Sequence, residues 1–310
     1  MRRSTTSAGT ESAGTESAGT ESAGTGSTGA GSAGAGRRLL TLALLAELVG
    51  AAVVVWPGSP SAAPAPSPPS ESAPAAGESV PAGPAAPTER VLADGRRARL
   101  VDLGGPHTAG LLNRIAAELD AAAAAVTAFW GDDWSREIVI AAAATDEQFT
   151  ALAGGGPDIA AAAVDGRIVF APGAAGMSAD ALRMVLRHEL FHHAALPRTA
   201  GDAPRWLTEG VADFVARPGG RPELTDAEAQ ATRLPTDDDL DTPGPVRAHA
   251  YDRAWWFSSY VADRYGPAAL RDLYLRACGP GHRDVATAVR DALGAEPDVV
   301  LAGWRRWLTD

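Results

Sequence analysis

His188-Glu189-Leu190-Phe191-His192 is the stretch on which the reading of this chain turns. It lies within residues 178–196, whose apolar spacing predicts a helix with Ser178 as its N-cap and Pro197 closing it. Residues four apart share a helix face, so both imidazoles can reach one ion. Glu189 lies one position on, roughly 100° around the axis, where it can address a water beside that ion without displacing a ligand. Two imidazoles leave a tetrahedral site one protein ligand short, with one further position open. His193 points away from the pair and is expected to be a supporting or surface residue.

Further along, Trp206-Leu207-Thr208-Glu209-Gly210-Val211-Ala212-Asp213 reads as a second helix. Sixteen residues separate His192 from Glu209, enough for a turn and an antiparallel return. Glu209 is therefore the expected third ligand. Asp213, one helical turn beyond on the same face, is placed to accept the free N–H of His188 and fix its tautomer.

Moving outward towards the N-terminus, 90–101 predicts a hairpin around Asp94-Gly95, and 109–130 a helix. Residues 137–143 read as a buried strand, and 145–152 as a short helix capped by Thr145. The segments 159–164 and 167–171 flank Asp165-Gly166, a dipeptide suited to a tight hairpin turn. Moving towards the C-terminus, 203–217, 248–265, 268–277, 283–293 and 298–308 all carry helical patterns. Strands mixed with helices, followed by helices alone, predict an α+β lobe over 89–199 and a helical lobe over 200–310.

The HELFHH and WLTEGVADF segments resemble the gluzincin metallopeptidases, above all the small bacterial peptidase MA-like domains with an HExxH helix followed by a WLxEGxA helix. The likeness spans about 89–310, with specific motifs only in 188–213. It implies a zincin-like mixed lobe carrying the active-site helix, followed by an all-helical lobe. It implies zinc held by His188, His192 and Glu209, with Glu189 as general base. Relatives of this kind often stabilise the oxyanion with a Tyr or His from the helical lobe; Tyr251 is the candidate and His249 the alternative. The gap before Glu209 is somewhat shorter than in thermolysin-like relatives, which bears on the connecting loop. A peptide or protein substrate would lie extended on an edge of the β lobe, with the 159–171 hairpin as the expected edge.

The rest of the chain is of another kind. Residues 1–36 repeat Glu-Ser-Ala-Gly-Thr from Glu11, Glu16 and Glu21 and have no apolar face, so a disordered tail is expected. Residues 37–56 begin with Arg37 and Arg38 and continue as an apolar run broken once, at Glu47. Its ten Leu and Val residues contribute about −3 to −6 kcal/mol to insertion against a cost of roughly 2.5–3.5 for Glu47. A transmembrane signal anchor is expected, with the catalytic part outside the cytoplasm. Ala63-Pro64-Ala65 keeps open a cleaved signal peptide and a secreted product. Residues 57–88, rich in Pro, Ala and Ser, read as a linker.

The chain's net charge is −11, all its basic residues are Arg, and no basic stripe follows the N-terminus, so nucleic acid is not an expected partner. A monomer is expected. Cys278 is the sole cysteine, which excludes an internal disulfide or thiolate zinc cluster; it reads as a buried apolar residue. The rival functional reading is a catalytically inactive exported binding domain that retains the zinc-site fold. A purely structural zinc site would need a fourth protein ligand, and none is evident.

Overall fold

The computed structural model describes residues 86–154, 159–217, 222 and 224–310. The tail, the apolar run and nearly all of the linker lie outside these residues. Among the described residues, no helix is long and apolar enough to cross a membrane.

The fold is mixed α+β. The first half contains β1 (Thr88–Val91), β2 (Arg97–Asp102), α1 (Thr108–Trp130), β3 (Glu137–Ala142), α2 (Asp146–Ala153), β4 (Ala161–Val164), β5 (Arg167–Phe170) and α3 (Ala179–Ala195). The strands form one sheet in the order β1-β2-β3-β5-β4. The two hairpins are antiparallel. The β2–β3 and β3–β5 pairs are parallel, the first joined through α1 and the second through α2 and then β4. Local patterns predict the two hairpins but no pairing between them. Ile138 and Ile140 on central β3 share one face and are fully buried, and Ala141 is buried on the other. Asp165 takes a positive φ of 49° in the β4–β5 turn, where the following Gly166 is also positive, so this turn needs residues that tolerate the left-handed region. The hairpin leaves β4 as an edge strand beside α3.

The second half is helical: α4 (Arg205–Ala216), α5 (Asp226–Ala231), α6 (Asp237–Asp241), α7 (Pro245–Tyr265), α8 (Pro267–Cys278), α9 (Val285–Leu293) and α10 (Pro297–Trp307). Short α5 and α6 fall outside every helical pattern read from the residues, yet each opens with a capping box, Thr225 with Glu228 and Thr236 with Asp239. The helix expected over 248–265 starts three residues earlier because Pro245 fits the first turn, where its missing N–H costs nothing.

Three packing features position the site. Phe191, within the central motif, meets Trp130 and Tyr274 edge-on with centroids 5.5 and 5.6 Å away, pinning the buried side of α3 to α1 and α8. Each such pair contributes about 0.5–1.5 kcal/mol beyond area burial. Gly210 lets α4 lie against α7: a Cβ there would sit 2.6 Å from the Ala254 carbonyl carbon and 2.9 Å from Ser258 Oγ. Pro204 cannot cap α4 with its side chain, and Asp237 of α6 does so from outside, accepting from the amides of Arg205 (3.3 Å) and Trp206 (3.2 Å). Cys278 is fully buried, and Trp304 and Trp307 are buried anchors of α10.

Candidate metal centre

His188 and His192 occupy successive turns of α3 and face Glu209 on α4. One donor atom from each residue lies within 4.8 Å of the others. The nearest approaches are 3.1 Å between the two Nε2 atoms, 3.2 Å from His188 Nε2 to Glu209 Oε2, and 3.4 Å from His192 Nε2 to Glu209 Oε1. Ligands 2.0–2.1 Å from a tetrahedral ion stand about 3.3 Å apart, so the three contacts have the size of one tetrahedral face. Glu209 Oε1 is buried and has no aligned hydrogen bond among the described residues. Two imidazole nitrogens turned towards each other, beside a buried carboxylate oxygen with no aligned hydrogen bond among the described residues, are a donor set that suits a cation. The residues present fit a divalent metal ion.

Asp213 lies 3.0 Å from His188 Nδ1, which donates to it, so that Nε2 would be the nitrogen offered to a bound metal. Asp213 is in turn held 2.7 Å from Arg217, whose guanidinium stacks 3.9 Å from the Trp255 ring. The α4 sequence therefore presents Arg205, Glu209, Asp213 and Arg217 at four-residue intervals along one face.

Burial acts against the charged form of every group here. It lowers the His188 pKa, but the hydrogen bonds its ring donates to Asp213 and Glu209, with their charges, more than reverse this and leave it well above the usual imidazole value. Burial likewise raises Glu209, while the charges and hydrogen bonds of His192 and His188 bring it below the ordinary carboxylate range. Glu189 lacks such partners: burial pushes its carboxyl up to about 7, against the pull of both imidazoles. Its Oε2 is buried without a hydrogen-bond partner among the described residues, and the Ala163 amide on β4 faces the carboxyl and favours its ionised form. A carboxyl raised in this way can exchange a proton near neutral pH.

A cleft of about 120 Å³ opens over the centre, with Glu189, His192 and Glu209 in its wall beside Ala163 and Val164 of β4. His193 also reaches this wall but donates to the Glu137 carbonyl at 3.2 Å and is not part of the donor set. Tyr251 on α7 is 7% exposed, near enough to Glu209, Asp213 and Arg205 for their charges to act on it, and does not line the cleft. His249 is exposed on the same helix. The structure brings together His188, His192, Glu209 and Asp213, with Glu189 beside them. Sequence reasoning missed three residues that serve this site: Arg217, Arg205 and Asp237. The first two were legible as the residues four beyond Asp213 and four before Glu209; Asp237 gave no local signal.

No family model and no curated protein matches the chain. Among solved structures, a mutant M1 zinc metallopeptidase from Deinococcus radiodurans matches at 18% identity and TM-score 0.41, covering 73% of this chain and 51% of that one. A two-domain M1 zinc metallopeptidase mutant bound to L-arginine matches at 17% identity and TM-score 0.41, covering 74% of this chain and 52% of that one. The chain spans about half the length of these proteins.

Proposed function

We propose that the chain is a zinc-dependent peptidase acting outside the cytoplasm. The observation that carries this reading is the convergence of His188, His192 and Glu209 to the dimensions of a tetrahedral face, with the buried Glu189 carboxyl beside them in an open cleft. The three residues would hold zinc, which when bound acidifies water and polarises a carbonyl.

The chain's own groups supply the rest. Glu189 takes a proton from the attacking water and passes it to the amine of the departing product. Burial, which raises its carboxyl pKa, favours its holding the proton it has taken. The β4 edge offers main-chain hydrogen bonds to an extended peptide without selecting its sequence. Tyr251 is buried and does not line the cleft, so its hydroxyl could reach developing oxyanion charge only after its side chain moved. Export by the 37–56 segment belongs to the same proposal and is supported by its apolar run and flanking arginines.

The test is cleavage of a mixed peptide library by the zinc-loaded full chain and its Glu189→Gln variant. Wild type should cleave, and the variant should retain zinc while losing about 10²- to 10⁴-fold in rate. Equal rates would remove Glu189 from the chemistry. A zinc-replete wild type that cleaves nothing would favour the inactive binding domain.

A further inference from the structure

We propose that Arg167 and Arg205 make the cleft select a carboxylate beside the scissile bond, so that the enzyme prefers substrates carrying an acidic side chain or a free C-terminus there; this rests on the peptidase reading. The two arginines come from different parts of the fold. Arg167 is the first residue of β5, just after the hairpin turn, and Arg205 is the first of α4, one helical turn before Glu209. Both line the same cleft as Glu189, His192 and Glu209.

The Nε of each arginine is buried and makes no hydrogen bond among the described residues. Each guanidinium is paired with a carboxylate that is largely in solvent. Arg205 lies 2.6 Å from Asp241, whose side chain is 59% exposed, and Arg167 lies 3.6 Å from Asp165, which is 85% exposed. A carboxylate partner that lies largely in solvent can be exchanged for a competing oxygen, most easily at the looser Arg167 pair. Among the described residues, the only carboxylates in the cleft wall are Glu189 and Glu209, both committed to the centre. Two cations in one cleft run against the chain's net charge of −11. The guanidinium fork matches a carboxylate in geometry as well as in charge. At about 120 Å³ the cleft is smaller than the roughly 300–1,000 Å³ that encloses a drug-sized ligand, so it suits one side chain or one chain end.

Three matched peptide sets, given to the zinc-loaded full chain, test the proposal. The first is neutral and amidated, the second is amidated with a single Glu scanned along it, and the third is neutral with a free C-terminus. One acidic set should be cleaved with a kcat/KM about tenfold or more above the neutral set. The second set winning identifies a side-chain carboxylate, and the third a chain end. Arg167→Gln and Arg205→Gln should each bring the ratio towards one. Equal cleavage of all three sets overturns the proposal and leaves the peptidase reading intact. If no peptide is cleaved, calorimetric binding of the same sets to the metal-free full chain decides. Tighter binding of an acidic set, weakened in both variants, supports the arginine cleft without the peptidase, and equal binding overturns it.

Discussion

The two helices that build the centre do so by different means. On α3 the relation between His188, Glu189 and His192 is set by the helix itself, since neighbours one and four positions apart have fixed directions. On α4 the carboxylates of Glu209 and Asp213 reach the same place across sixteen residues of chain. Their position depends on contacts made elsewhere: Gly210 against α7, Asp237 at the start of the helix, and Arg217 against Asp213. One half of the centre is therefore local and the other tertiary, and distant substitutions should act mainly through the second.

The largest effect expected on the α4 side is that of Glu209→Ala. It should raise the zinc dissociation constant, measured by chelator competition, by more than the roughly 100-fold upper limit for a lost supporting contact. Asp213→Asn keeps the shape but weakens the grip on His188 Nδ1, and should cost about 10- to 100-fold in the same assay. An unchanged affinity would mean that the His188 ring is held by packing alone.

Gly210→Ala sharpens the contrast between local and tertiary control. Its Cβ would collide with the Ala254 backbone, so thermal unfolding should show a loss of about 1–3 kcal/mol together with weaker zinc binding. Gly110 of α1 has open space around it, and the same change there should stabilise by about 0.5–1 kcal/mol. Two results of the same sign would remove the close α4–α7 approach as a cause.

A smaller effect should come from Asp239, which ties α6 in place. Its hydrogen bonds to Arg233 hold it below the ordinary range against burial, helped by the Thr236 amide and Arg253. A depressed folded pKa gives stability that is present above the unfolded value, about 3.9, and is lost as pH falls through the folded value. Asp239→Asn should therefore lower stability at pH 7 by about 1 kcal/mol, and the gap to wild type should begin to narrow below about pH 4 and go on narrowing as acid is added. A gap independent of pH would assign the effect to shape and not to charge.

The division also explains what the sequence disclosed. The strands, the major helices and their caps at Thr145 and Ser178 follow from short-range patterns and were legible. So were the α3 residues of the site, and Glu209 and Asp213 followed from a second helical motif. The parallel pairing of β3 with β2 and β5 was not legible, because strand order depends on contacts far apart in sequence. Helices as short as α5 and α6 carry too few residues for a periodic signal, although their capping boxes were present. Asp237 was invisible as a cap because it serves a helix more than thirty residues away.

X-ray absorption at the zinc edge, on the full chain loaded with one equivalent of zinc, tests the shared centre most directly. Two imidazole nitrogens and one carboxylate oxygen at about 2.0–2.2 Å should form the first shell, with one imidazole missing in His188→Ala and the carboxylate missing in Glu209→Ala. A shell of water and scattered carboxylates, unchanged in both variants, would contradict the convergence of α3 and α4 on a single ion.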